Sequence, residues 1–310
     1  MVSLKVPVVG EHVVCATIAT MDAGCTPVFL AERAERLSIP ESMTAGELEQ
    51  ALKDATKENR GRNVNEIVNI CLPRMRLNAA LLRMLAQFRG VHSLDLSMRL
   101  LDDEVVSELR SLPELKELVL RSTRLSKESI VALARCPYLE SLDFSGCELS
   151  RDRIAALVEH GRSIRRPRLA KCGIENQDLS LLAGMPQLVE LNLSGVDVRD
   201  TDAAWLSSLT NLRQLELADT RLTSEGLSKL RLDQLETLDL SGARIADLDL
   251  FRFVRMKELR HLGVARTGVT ANGLLQALPA MQLSRLTLDT PQQEKLRPMN
   301  VGNWEFWTSD

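Results

Sequence analysis

Leu115-Lys116-Glu117-Leu118-Val119-Leu120-Arg121-Ser122-Thr123-Arg124-Leu125 reads as L-x-x-L-x-L-x-x-T-x-L. The frame fits again at Leu139–Leu149, with Phe144 in its sixth place and Cys147 in its ninth, and again from Leu188, Leu212 and Leu235. Working outward, copies start at Ile67, Val91, Leu115, Leu139, Ile164, Leu188, Leu212, Leu235, Leu259 and Leu283, with successive starts 23 to 25 residues apart. Self-similarity at a fixed period of this size marks a repeat architecture, in which each unit buries its apolar face only by stacking on its neighbours.

Each copy divides in the same way. The centre of L-x-x-L-x-L alternates apolar and polar residues, as a half-buried strand does. Turn residues follow at Ser145-Gly146, Ser194-Gly195 and Ser241-Gly242. A hydroxyl then precedes a helical run at Ser126, Ser150, Thr223 and Thr270, where it can cap the first turn. The pairs Ile130/Leu133, Ile154/Leu157, Leu179/Leu182, Leu206/Leu209 and Leu274/Leu278 give these helices an apolar face. Pro113, Pro137, Pro186 and Pro279 fall where the helix must stop before the next strand. One strand and one helix per unit, always in that order, require parallel strands. Strands stack about 4.8 Å apart and helices need more room, so the array bends with its strands inside. The expectation is an α/β, right-handed solenoid of about ten repeats, with a concave parallel β-sheet and convex helices.

The motif resembles the leucine-rich repeat family over about 225 of the 310 residues, and most resembles bacterial members with L-x-x-L-x-L-x-x-T-x-(I/L)-T units. In that family the ninth position commonly holds Asn or Cys, bonded to the turn backbone. Here it holds Met75, Arg99, Thr123, Cys147, Cys172, Val196, Thr220, Ala243, Thr267 and Pro291, so no Asn ladder runs through the chain. Thr can still bond the turn, and Cys weakly. Repeat five departs furthest, with Pro167 in place of the second Leu. A proline has no amide for a central strand, which predicts a local irregularity.

The repeats divide the chain into an N-terminal segment with a helical cap (1–63), the solenoid (64–290) and a C-terminal cap or tail (291–310). In the first part Val6–Val14, Ala16–Ile18 and Val28–Leu30 have strand-like content, Ala31–Leu37 is helix-compatible, and Thr44-Ala45-Gly46-Glu47 is a capping box ahead of Leu48, Leu52 and Ala55, with Gly61 as its end. Ala23-Gly24-Cys25 has the ending of a lipoprotein signal, but Glu11, His12 and Asp22 break the apolar pattern that such a signal needs. The tail carries Trp304, Phe306 and Trp307, suited to closing the last repeat or to meeting a partner.

Composition narrows the function. A formal net charge of −3 lacks the basic balance of a nucleic-acid binder. The six Cys form no C-x-x-C pair and no dense framework, which favours reduced thiols and a cytoplasmic protein over an exported or lipid-anchored one. No run approaches the ~20 apolar residues of a membrane span. His12, His92, His160 and His261 lie at no metal-ligand spacing, and no nucleophile motif or phosphate-cradling loop occurs. The expectation is a monomeric non-enzyme without cofactor or metal.

What remains is the concave face, formed by the outward places of each frame. Arg165, Arg166, Arg168 and Lys171 make a basic node there, flanked by Asp143, Glu190, Asn192, Glu216 and Asp239. Arg pairs bidentately with carboxylates, so the node suits acidic groups on a protein or peptide. The neighbouring carboxylates would repel nucleic acid. The family resemblance implies the same role, a protein–protein interaction module. The alternatives are a structural or surface-anchored repeat protein, and an effector-like subunit that recruits a target to a separate enzyme.

Overall fold

The computed structural model describes residues 77–86 and 91–296 continuously, together with Gly46 and four strands outside those ranges. All thirteen strands of the described residues lie in one sheet, in chain order. They are β1 (Cys15–Thr17), β2 (Arg36–Ser38), β3 (Asn69–Cys71), β4 (Ser93–Asp95), β5 (Glu117–Val119), β6 (Ser141–Asp143), β7 (Arg166–Arg168), β8 (Glu190–Asn192), β9 (Gln214–Glu216), β10 (Thr237–Asp239), β11 (His261–Gly263), β12 (Arg285–Leu288) and β13 (Glu305–Thr308). Every pairing is parallel. The result is an α/β solenoid with strands on the concave side and helices on the convex side.

From β3 to β11 each strand occupies the third to fifth places of its frame, and β12 runs one place further. The first, fourth and sixth places point inward: Leu188, Leu191, Leu193, Leu212, Leu215 and Leu217 are all at most 1% exposed. The helical pairs close the core from the other side, with Ile130, Leu133, Leu179, Leu182, Leu206 and Leu209 fully buried.

The sheet extends beyond the ten frames. β1 and β2 pair ahead of β3 within the segment set aside as N-terminal, and β13 pairs after β12. Val13–Ile18 and Ala34–Ile39 are short versions of the frame at irregular spacing, which is why a search at one fixed period passes over them. Of the helix expected from Thr44, only Gly46 is among the described residues, and it is helical. Leu48, Leu52, Ala55, Gly61 and Trp304 lie outside them.

Backbone bonds tie each repeat to the next in a fixed sense. The sixth-place amide donates forward to the fifth-place carbonyl, as in Leu120 to Asp143 (2.8 Å), Leu193 to Glu216 (2.9 Å) and Leu217 to Asp239 (2.8 Å). The eighth-place amide also donates forward, as in Gly195 to Ala218 (2.8 Å). Amides of one parity therefore face the following strand, and the fourth place has that parity. Pro167 occupies it in β7 and has no amide to send. The β6–β7 pairing keeps three residue pairs, whereas β7–β8 keeps only Arg168 with Asn192. The expected irregularity is present, and it lies on one side of β7.

The eighth place turns the chain through left-handed backbone, with φ between 51° and 75° from Met98 to Arg266. Gly146, Gly195 and Gly242 take it without strain, while Ser122, Lys171, Asp219 and Arg266 take it at a cost of about 1 kcal/mol each. The ninth place then bonds as the sequence suggests. Cys147 and Cys172 each donate at 3.0 Å to the sixth-place carbonyl of the preceding repeat, Leu120 and Phe144, and Thr123 does so to Leu96 at 3.3 Å. Burial pushes the Cys172 thiol up to about 12, so it stays protonated as a donor.

Three of the four expected caps form. Ser126, Thr223 and Thr270 accept from the amides of Ser129 (2.9 Å), Glu225 (3.2 Å) and Gly273 (3.1 Å). Ser150 stands at its helix start without a side-chain bond, because the Arg153 amide goes to the Ser150 carbonyl at 3.0 Å. Pro113, Pro137 and Pro186 follow their helices, but Pro279 lies within a final 3-10 turn, Leu278–Ala280.

Candidate concave-face binding site

Side chains of the third and fifth strand places form the concave face, and the structure sorts the residues expected there into two groups. In the first, the fifth-place carboxylate or amide is used by its own turn. Asp95, Asp143, Asn192 and Asp239 each accept, at 2.9 Å, from the amide of the Ser two residues on. Such Asx turns end the strand and direct the chain into its left-handed residue. Asp143 is also gripped by Arg121, whose Nε donates to Oδ2 at 2.6 Å across from the preceding repeat. Burial pushes the Asp143 carboxyl up, but the bonds from Ser145 and Arg121 together outweigh it and hold it below the usual carboxylate range. Asn192 spends its amide nitrogen on Glu216. Asp143, Asn192 and Asp239 thus have structural duties that the sequence reading assigned to a partner. Arg121 was missed, and its signal was an Arg in the seventh place beside an Asp in the fifth place of the next copy.

The second group is the basic node, which splits as well. Arg166 donates from Nη2 to Glu140 Oε2 at 3.1 Å. Arg165, Arg168 and Lys171 are exposed, with no hydrogen bond or ion pair to their side chains among the described residues. Arg168 stands on the strand floor opposite Asn192. Lys171 sits at the edge, in the left-handed turn, with its stem running over Gly195.

Beside the node lies an acidic strip of Glu190, Glu216 and Asp239 on β8 to β10. Burial, then the charges of Asp239, Glu190 and Asp143, push the Glu216 carboxyl above its usual range against the pull of Arg168. A carboxyl raised by folding makes the fold more stable when protonated, and that advantage is lost as pH rises through its folded value. Glu216→Gln is therefore expected to raise the melting temperature at pH 7. The gain should shrink to nothing below about pH 4, where the unfolded carboxyl is also protonated. Melting curves from pH 4 to pH 8 test this, and an equal shift at every pH would refute it.

Further along, His261 Nε2 lies 2.9 Å from Thr287 Oγ1, and burial holds its imidazole below the usual range. Among the described residues no three His, Cys, Asp or Glu side chains could share a metal ion, and no helix is long and apolar enough to cross a membrane.

Comparison with known proteins agrees with the repeat geometry. A family model described as Leucine Rich repeat matches residues 208–230, which run from one helix through β9 to the next helix. The repeats of this chain are leucine-rich repeats. This leucine-rich repeat chain is 36% identical over 96 residues to the F-box/LRR-repeat protein 12 of Bos taurus and to that of Homo sapiens. The match covers 30% of this chain and 29% of each relative, so the chain spans less than a third of their length. Among solved structures, an internalin of Listeria monocytogenes superposes with a TM-score of 0.52 at 15% identity, covering 88% of this chain and 72% of that one. At that identity the likeness concerns the fold.

Proposed function

We propose that this leucine-rich repeat protein is a non-enzymatic, monomeric interaction module of the cytoplasm that binds a protein or peptide on its concave face. Leucine-rich repeat proteins generally bind proteins, which supports the coarse reading. The observation that carries the finer one is the trio Arg165, Arg168 and Lys171, three exposed cations without side-chain partners among the described residues, on a floor whose other charges are mostly engaged. An unengaged guanidinium on a fixed strand is pre-oriented for a partner's carboxylate and loses little freedom on binding. The acidic strip beside it gives the partner a polarity, with its acidic group over β7 and a basic one over β8 to β10.

The test is capture from lysate by wild type beside Arg165→Glu/Arg168→Glu/Lys171→Glu, sparing Arg166 because it bonds Glu140. The trio is exposed, so the variant should fold, which matching circular dichroism will check. At least tenfold weaker capture of a specific protein by the variant is expected. Equal capture would place binding elsewhere, and no capture by either would favour a structural role.

A further inference from the structure

The helix Asp247–Phe253 departs from the others in its outward face. It buries Leu250 and Phe253 in the core, yet leaves Leu248 81% exposed and Phe251 56% exposed. The preceding repeat is one residue short, Leu212 to Leu235, and its helix Ser224–Lys229 has six residues where Arg151–His160 has ten. A groove of about 520 Å³ opens between helices Ser224–Lys229 and Asp247–Phe253 on the convex side. Leu227, Leu230, Leu248, Phe251 and Met256 give it apolar walls. Its rim carries Arg231, Arg252 and Arg255 against a single acidic residue, Asp233. Arg252 leans on buried Asp249 at 3.5 Å, and Arg231 Nη1 is bonded to the carbonyls of Ser228 and Leu230. Arg231 is thereby fixed with its charge uncompensated, while Arg252 shares its charge with Asp249 and Arg255 adds a further cation.

We propose that this groove docks an acidic amphipathic helix of a second protein, on the opposite side of the solenoid from the basic node. An apolar trough admits side chains spaced i, i+3, i+4 and i+7 on one helical face. Three Arg along its edges select Asp and Glu on that helix's flanks and disfavour Lys and Arg. A second copy of this chain is a poorer occupant, because its own exposed apolar helix brings the same three cations with it.

The test uses the full chain against a displayed library of sixteen-residue amphipathic helices. The apolar places are drawn from Leu, Ile, Phe and Met. The flanks are all acidic in one half of the library and all basic in the other. Enrichment from the acidic half is expected, with affinity falling at least tenfold in Leu248→Ser/Phe251→Ser and in Arg252→Glu/Arg255→Glu. Leu248 and Phe251 are exposed, so folding should survive, and circular dichroism checks it. The concave triple variant should bind these helices normally, which separates this proposal from the one above. No enrichment, equal enrichment of both halves, or binding that survives the groove variants overturns it. A dimer in sedimentation that Leu248→Ser/Phe251→Ser dissolves would also overturn it.

Discussion

Asp202→Ala should lower the unfolding free energy by about 3 kcal/mol, because the carboxylate serves three donors at a buried site. Asp202 is 5% exposed. Its Oδ2 accepts from the Arg199 amide at 2.7 Å and from Asn176 Nδ2 at 2.7 Å, and its Oδ1 accepts from the Trp205 indole Nε1 at 2.9 Å. The first bond caps the turn that opens its own helix, the second ties that turn to the previous repeat, and the third fixes the tryptophan. Truncation removes one acceptor group and leaves the Arg199 amide and the Trp205 indole unmatched, while Asn176 Nδ2 keeps its bond to the Asp197 carbonyl at 2.9 Å. A buried group left unmatched costs about 1–3 kcal/mol, and Asn176 recovers part of its loss through water. Asp202→Asn keeps one acceptor oxygen and should cost about half as much. Urea unfolding followed by circular dichroism reads both, and an Asp202→Ala midpoint equal to wild type would refute the account.

Gly226→Ala should destabilise by about 1–3 kcal/mol, although alanine is the better helix former by about 1 kcal/mol. A Cβ at Gly226 would stand 2.3 Å from Asp200 Oδ1, 2.7 Å from Asp200 Cα and 2.7 Å from Leu222 Cδ1. The carboxylate could swing away only by giving up the Thr223 amide and hydroxyl, which it holds at 2.8 and 2.6 Å. The Cα cannot move without parting the two repeats. Gly273 is the control. Its nearest neighbours are all carboxylate atoms of Asp247, at 2.2 to 2.7 Å. Asp247 would also give up the Thr270 amide and hydroxyl, at 2.6 and 2.7 Å, but no backbone atom stands in the way, so Gly273→Ala should cost less. Equal costs at the two sites, by the same unfolding measurement, would refute the backbone argument.

Much of the fold was legible because each inward place carries one side-chain type with one job. Leu215 and Leu238 tell the same story in neighbouring repeats, and the story repeats until it is unmistakable. Pro167 was legible for a different reason: a missing amide has a single consequence in a central strand. At the ends the frame keeps the pairing but not the spacing: the strand-like Ala16–Ile18 overlaps β1, whereas β2 at Arg36–Ser38 begins where Ala31–Leu37 reads as helix-compatible, and β13 is a strand that the sequence does not lead one to expect. The candidate site was legible only as a list of polar places. Sequence position put Asp143, Asn192 and Arg168 on one face, but whether a carboxylate faces a partner or its own chain depends on the residue two places on. The D/N-x-S pattern at Asp95, Asp143, Asn192 and Asp239 carries that information. Arg166 and Arg168 stand on the same strand, and only the geometry of Glu140 distinguishes the engaged one from the free one.

The missing Pro167 amide also bears on how the molecule comes apart. A linear array unfolds by parting neighbours, and each boundary resists according to the contacts that cross it. The boundary between β7 and β8 holds one strand pair in register where its neighbours hold three. Pulled from its ends, or warmed gently, the sheet should part there more readily than at β6–β7 or β8–β9, which keep all three strand pairs. Repeats one to five and the repeats after them would then behave as two cooperative blocks joined at a seam. Arg165 and Arg168 lie along that seam. A ligand clasping them while resting on Glu190 and Glu216 would bridge the two blocks, so its binding would register as mechanical strength.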